Sequence, residues 1–508
     1  MSPLLDMLPE HLNGGAVGSY APAPIAAPVT SLLPPTSDDE LHDLICVGFG
    51  PASLAIAIAM HDALDPSLAD SSSPLHTAPK ALFLERQTEF AWHAGMLIPG
   101  AKMQISFIKD MASMRNPRSK FTFLSYLHAK GRLVSFANLN TFLPHRAEFQ
   151  DYLRWCADAF APNARYGQEV VEVRPDAASR RGGRAVRAFE VVSRDLVTGQ
   201  VSVRRARHVV VATGGQASIP APFPANDPRV IHSSQYQFQV GRMFSDRLAN
   251  WRFAVVGSGQ SAAEIFSDLH ARYPNCRTRL LIKSDALKPS DDSPFVNEIF
   301  DPDRVDPFFV TPTPRRRAIL AANKATNYGV VRENLLNHIY ETLYMQRLTG
   351  APTSSWPHRI IPGTVVTSIE TPASSGPIIL NTAPVAQETA TEGGVGYVKD
   401  EMREFDGVFV ATGYRRDLHE TILASSSGLL PAGAKDWDVG RDYRVRFAEG
   451  EVAPSAGVWL QGCCEETHGL SDSLLSILAV RGGEIVQSMF GDEQVFREGK
   501  GKAVNGTA

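Results

Sequence analysis

The sequence predicts an α/β chain carrying two βαβ nucleotide-binding modules, the second inserted in the first, with a small helical region beside them. Three observations predict it. LICVGFGPASLA begins at Leu44 and RFAVVGSGQSAAEI at Arg252. Each reads as an apolar strand, a glycine turn and small residues opening a helix. Each is later followed by an apolar strand ending in Ala-Thr-Gly, VVVATGG at 209–215 and VFVATGY at 408–414. Finally, 508 residues exceed what one core holds, so two or three domains are expected.

Composition bounds the function. With 44% hydrophobic and 20% charged residues, the chain is an ordinary globular protein. A net charge of -4 gives no reason to expect nucleic acid or an anionic membrane as partner. The five cysteines include no C-x-x-C pair, and Cys463 and Cys464 are adjacent. That is neither a disulfide framework nor a metal site, and it suits the reducing cytoplasm. The first basic residue is Lys80, so neither a signal peptide nor a mitochondrial presequence is expected. The run LICVGFGPASLAIAIAM is broken by Gly48, Gly50 and Pro51, which reads as strand, turn and helix rather than a membrane span.

Residues 1–40 are rich in Pro, Ala, Gly and Ser, and are expected to be disordered, as is the tail at 493–508. IPAPFPANDP after Gly215 and TAPVAQETATEGGVG at 382–396 read as surface loops. Between them, about residues 290–350 carry apolar residues at helical spacing.

In the first turn, Gly48 permits the sharp bend, and Gly50 with Pro51 lets backbone approach a pyrophosphate on the helix N-terminus. Ser53 takes the place of the usual third glycine and is still small. The next strand, KALFLER, reaches Glu85, a carboxylate suited to ribose hydroxyls. In the second turn, Gly257, Gly259 and Ser261 repeat the pattern. Its following strand, RLLIK, ends at Lys283. A cation there suits a ribose 2′-phosphate, hence NADPH, although surface lysines are common.

Two dinucleotide sites in one chain imply a flavin reduced by a nicotinamide, with a flavin-binding domain expected in two parts (41–235 and 401–492) flanking a nicotinamide-binding domain at 236–400. A disulfide reductase needs a redox cysteine pair, and none is present. An oxygen-activating monooxygenase needs no metal and no protein nucleophile, only a dry pocket around the flavin. The chain fits that class by elimination, so no side chain is assigned as catalytic. One more stretch stands out. In KMQISFIKDMASMRNP, Lys109 sits among apolar residues. Either its stem covers apolar surface while its head stays in water, or it awaits a negatively charged ligand.

The chain resembles the microbial N-hydroxylating flavin monooxygenases, most closely the fungal L-ornithine N5-monooxygenases of hydroxamate siderophore synthesis. The likeness runs from about residue 42 to about 490 and rests on VGFGPASLA, FAWHAGMLIPGAKMQISFIKDMASMRNPRSKFTFLSYLH, FLPHRAEFQDYLRWCA, VVGSGQSAAEIF, SDDSPFVNEIF, ATNYGVV, ATGY and HGLSDSLLSILAVR. It implies that NADPH reduces FAD, that O2 forms a C4a-hydroperoxyflavin, and that the neutral side-chain amine of L-ornithine attacks it. It also implies site roles. Lys109 would pair with the substrate carboxylate, Asn297 with its backbone groups, and Ser471, with Ser473 as rival, would line the amine end. Met103 and Gln104 would face the flavin; Arg146, Asn327 and Tyr328 would meet NADP; Thr412 and Gly413 belong to the Ala-Thr-Gly motif on the cofactor side. His468 reads as a hydrogen-bonded structural histidine. The resemblance further implies a homotetramer. A lysine N6-monooxygenase, or a flavin NADPH oxidase or scaffold without hydroxylating activity, are the alternatives.

Overall fold

The computed structural model describes residues 29–68, 73–180, 185–372, 376–385 and 402–491. Its first strand, β1 (Leu41–Val47), is buried without a break from Leu44 onward, as suits a parallel strand covered on both faces. The backbone then turns at Gly48 into α1 (Pro51–Leu64). Gly48 has φ +91°, and a Cβ there would stand 2.6 Å from the Ala212 carbonyl oxygen. Only glycine permits both the left-handed conformation and that approach.

Beside β1 run β2 (Ala81–Leu84) and, after α2 (Arg146–Asp158), the short β3 (Ala164–Arg165). β4 (Gln168–Pro175) and β5 (Phe189–Asp195) pair antiparallel, and β5 pairs in turn with β6 (Val201–Val211). The second half of β6 runs parallel to β1 on the side away from β2. Strand order therefore diverges at β1, the point where sheets of this kind open a ligand crevice.

A second sheet is wholly parallel. It contains β7 (Val230–His232), β8 (Arg252–Val256), β9 (Arg277–Leu281), β10 (His358–Ile361) and β11 (Gly407–Val410), in the order β10-β9-β8-β11-β7. α3 (Gln260–Arg272) follows β8. At the intervening turn Gly257 has φ +136°, and a Cβ there would stand 2.4 Å from the Ala411 carbonyl oxygen. Gly257 thus stands to Ala411 as Gly48 does to Ala212, so each Ala-Thr-Gly strand closes against its own module's glycine turn. The longest helices between β9 and β10 are α4 (Thr313–Asn327) and α5 (Glu333–Arg347), preceded by short turns at Pro294–Asn297 and Val305–Val310. The chain then returns to the first sheet with β12 (Gly457–Leu460), parallel to β6, and α6 (Leu478–Phe490) packs against α1.

This topology corrects the boundaries expected at 235/236 and 400/401. β7 and β11 both belong to the second sheet, so the two crossings between sheets fall within 212–229 and 411–456. The N-terminal expectation is also corrected where the structure speaks to it. Residues 29–40 are packed: Leu33 is buried in the core, and the Asp38 carboxylate bonds Arg165 (3.1 Å) and Arg204. Arg204 is itself buried in the sheet, and a buried guanidinium requires such a partner. Residues 1–28 and the tail at 493–508 lie outside the described residues. Of the two stretches read as surface loops, IPAPFPANDP buries Phe223. The other begins inside the strand Ile378–Pro384, and its residues 386–396 lie outside the described ones.

Candidate active site

A cavity of about 970 Å3 opens at the carboxyl ends of β1, β2, β6 and β12. Gly48, Gly50, Pro51 and Glu85 stand in its wall. Gly50 is the N-cap of α1, and no atom lies within 4 Å of where its Cβ would be. Gly50, Pro51 and Ala52 all line the cavity, so the helix start, whose first N–H groups lack partners within the helix, faces it and suits a phosphate. Ser53 is buried in the same helix. The Glu85 carboxylate accepts from the Phe49 N–H at 2.8 Å and the Gln87 N–H at 2.8 Å, which fixes it at the cavity edge.

Two features of this wall had no signal in the sequence. Gln461, at the end of β12, is 4% exposed, and neither its amide nitrogen nor its oxygen has a hydrogen-bond partner. An unsatisfied buried amide costs about 1–3 kcal/mol, a cost that a polar ligand in the cavity would remove. The same wall carries a buried ion pair. Arg481 Nη1 donates to Asp472 Oδ1 at 2.9 Å and to the Asp472 carbonyl at 2.6 Å, and the Cys464 N–H donates to Asp472 Oδ2 at 2.7 Å. Glycine turn, helix start, ribose-type carboxylate and unpaired amide together fit FAD.

The second turn is built alike. Gly259 caps α3, with Ser261 half-buried in its first turn, and the Gly259 Cβ position is 3.6 Å from the Gly329 Cα. The end of α4 thereby brings Asn327 and Tyr328 to this turn. Tyr328 donates its hydroxyl to Glu465 Oε2 at 2.6 Å, and burial, with Glu465 beside it, pushes its pKa up to about 12. Lys283 is exposed just beyond β9.

Three expected cofactor residues are engaged elsewhere. Arg146, at the start of α2, holds Glu264 of α3 through two bonds of 2.7 Å and also reaches the Met96 carbonyl at 3.2 Å. Its guanidinium joins the two modules. The Thr412 hydroxyl donates to the Ser218 carbonyl, and the Gly413 carbonyl accepts from the Ser218 N–H at 3.0 Å. Both tie down the crossing between sheets, and their neighbour Tyr414 stands in the cavity wall instead.

A chain of contacts links the residues expected to face the flavin, Met103 and Gln104, to those expected to hold substrate. Met103 is buried and Gln104 exposed. The Gln104 carbonyl accepts from Arg332 Nη2 at 2.9 Å, Arg332 pairs with Asp292 at 2.9 Å, and Asn297 Nδ2 donates to the Asp292 carbonyl at 2.9 Å. Lys109 Nζ lies 3.6 Å from Asp301 Oδ1, so the lysine has an ionic partner in the helical region. The Ser476 hydroxyl donates to the Phe300 carbonyl at 3.2 Å, bringing the 470–476 loop to the same place. Of the two serines, Ser473 stands in the cavity wall, whereas Ser471 is buried outside it. His468 is structural: it is buried, stacked on Tyr443 at 4.0 Å, with Nε2 3.1 Å from the Arg441 carbonyl.

A family model described as L-lysine 6-monooxygenase/L-ornithine 5-monooxygenase matches residues 40–416. The chain belongs to this family. An L-ornithine N(5)-monooxygenase of Cochliobolus heterostrophus is 56% identical over 466 residues, which is 90% of this chain and 88% of the relative. Among solved structures of similar fold is an ornithine hydroxylase from Pseudomonas aeruginosa. It is 37% identical with a TM-score of 0.77, over 89% of this chain and 99% of that one. An ornithine N-hydroxylase of Kutzneria sp. 744, described with reduced FAD, NADP+ and L-ornithine, is 34% identical with a TM-score of 0.76, over 89% and 99% of the two chains. Family members thus share the architecture of two dinucleotide modules described above.

Proposed function

We propose that this chain hydroxylates the side-chain amine of L-ornithine to N5-hydroxy-L-ornithine with FAD, NADPH and O2, the entry step of hydroxamate siderophore synthesis. The observation that carries the reading is identity of 56% to an L-ornithine N(5)-monooxygenase across nearly its whole length. FAD, reduced by NADPH, supplies the activated oxygen when bound.

The remaining work falls to the chain. Gly48, Gly50, Pro51, Glu85 and Gln461 hold FAD. Gly257, Gly259, Ser261, Asn327 and Tyr328 hold NADPH. Lys109 binds the substrate carboxylate, Asn297 its backbone groups, and Ser473 rather than Ser471 lines the amine end. The free amine has a pKa near ~10.4, and its nitrogen lone pair is needed for attack. Exclusion of water around Ser473 favours the neutral form. The FAD module comprises both segments of the first sheet and the NADPH module the segment between the crossings. The protein works in the cytoplasm as a homotetramer. All five cysteines are free thiols, in keeping with a reducing compartment. Among the described residues no helix is long and apolar enough to cross a membrane.

The deciding experiment is a panel of ornithine, lysine and putrescine, scored for hydroxylamine and peroxide together. Hydroxylamine from ornithine in near-equal amount to NADPH consumed is expected. Peroxide alone with every amine would identify an oxidase instead. Cofactor choice has its own test. Lys283→Ala should raise the KM for NADPH much more than that for NADH, since only NADPH carries the 2′-phosphate. Equal effects would remove Lys283 from that site.

A further inference from the structure

The Lys109–Asp301 pair is half-open, with side chains 21% and 43% exposed. Exposed pairs of this kind contribute little to stability. Yet the backbone is pinned at both residues. Asp301 joins the turns Glu298–Phe300 and Pro302–Arg304; its N–H donates to the Glu298 carbonyl and its carbonyl accepts from the Arg304 N–H, each at 3.1 Å. The Lys109 N–H donates to the Ser106 carbonyl at 3.0 Å. Nearby charges have other partners: Glu298 takes Arg304, and Asp292 takes Arg332.

An α-amino acid carries a carboxylate and an ammonium on one carbon. A lysine and an aspartate 3.6 Å apart present the complementary couple. We infer that Asp301 binds the α-ammonium of the substrate while Lys109 binds its α-carboxylate. The inference rests on the reading of Lys109 given above. The ion pair within the protein holds the two groups at the spacing the zwitterion needs, and the substrate inserts as a second pair. Asp301 also explains how a diamine is oriented. The reacting amine must be neutral, whereas the α-amine is held as a cation by a carboxylate, so the two ends are told apart by charge.

The test uses the flavin-loaded enzyme with two ligands, L-ornithine and 5-aminopentanoate, which has the same chain and carboxylate but no α-amine. Asp301→Asn should raise the KM for ornithine hydroxylation about tenfold or more and move the inhibition constant of 5-aminopentanoate less than about twofold. Asp301→Glu, which keeps the charge, should restore most of ornithine's advantage. An equal loss for both ligands would make Asp301 a support for Lys109 and overturn the inference. So would tighter ornithine binding, which would mean that Asp301 competes with substrate, or no change at all. If the wild-type enzyme forms no hydroxylamine from ornithine, the proposed function itself fails, whatever the variants do.

Discussion

Lys109→Ala should bind L-ornithine roughly ten- to a hundredfold more weakly or worse, while the protein keeps its fold and its flavin. A charge-assisted hydrogen bond is worth about 1.5–3 kcal/mol, and each ~1.4 kcal/mol is a factor of ten. The structure says why folding should survive. The partner left behind, Asp301, is 43% exposed and can be hydrated once the lysine is gone. NADPH would then be consumed with peroxide as product, because amine capture fails while the cofactor sites stand. Ornithine methyl ester should bind poorly to the wild type and lose little more in the variant. Hydroxylation at normal ornithine affinity would place the carboxylate elsewhere and reopen Asn297 with it. An unfolded or flavin-free variant would mean that the lysine stem serves the apolar surface around it.

Asp472→Ala should lower the unfolding free energy by about 3–5 kcal/mol, because it removes one partner of a buried ion pair. Asp472 is fully buried and Arg481 is 2% exposed. The variant leaves the guanidinium without its counter-charge and the Cys464 N–H without its acceptor. Since both residues stand in the cavity wall, flavin retention should fall as well. Adding Arg481→Met to Asp472→Ala should recover part of the loss, as an apolar side chain carries no desolvated charge. A loss under about 1 kcal/mol in urea unfolding of the single variant would show that Arg481 finds compensation elsewhere.

What the sequence makes legible depends on how local the physical requirement is. A glycine turn needs a positive φ and a close carbonyl, and both requirements act within one short motif. Gly48 and Gly257 were therefore readable. The assignment of β7 and β11 was not, because apolar periodicity marks a strand without naming its neighbour. Charges behave likewise. Arg146 and Lys109 are visible as cations, but Glu264 lies 118 residues further on from Arg146, and Asp301 lies in another part of the fold. Residues 29–40 carry a disorder-like composition, yet the buried Leu33, the Asp38 carboxylate and the Pro34 and Thr36 carbonyls, which accept from Asn163 and Arg165, anchor them to the fold. Gln461 had no motif at all, since its significance is the lack of a partner in three dimensions.

The Arg146–Glu264 contact has a consequence for how the enzyme responds to its medium. Both side chains are almost closed to solvent, at 12% and 7% exposure. Mobile ions screen such a pair far less than an open one. The alignment of the nicotinamide module on the flavin module is thus insulated from ionic strength, whereas the half-open Lys109–Asp301 pair is not. Added salt should raise the KM for ornithine well before it slows flavin reduction by NADPH, so that capture of the amino acid and delivery of electrons answer to different features of the same solution.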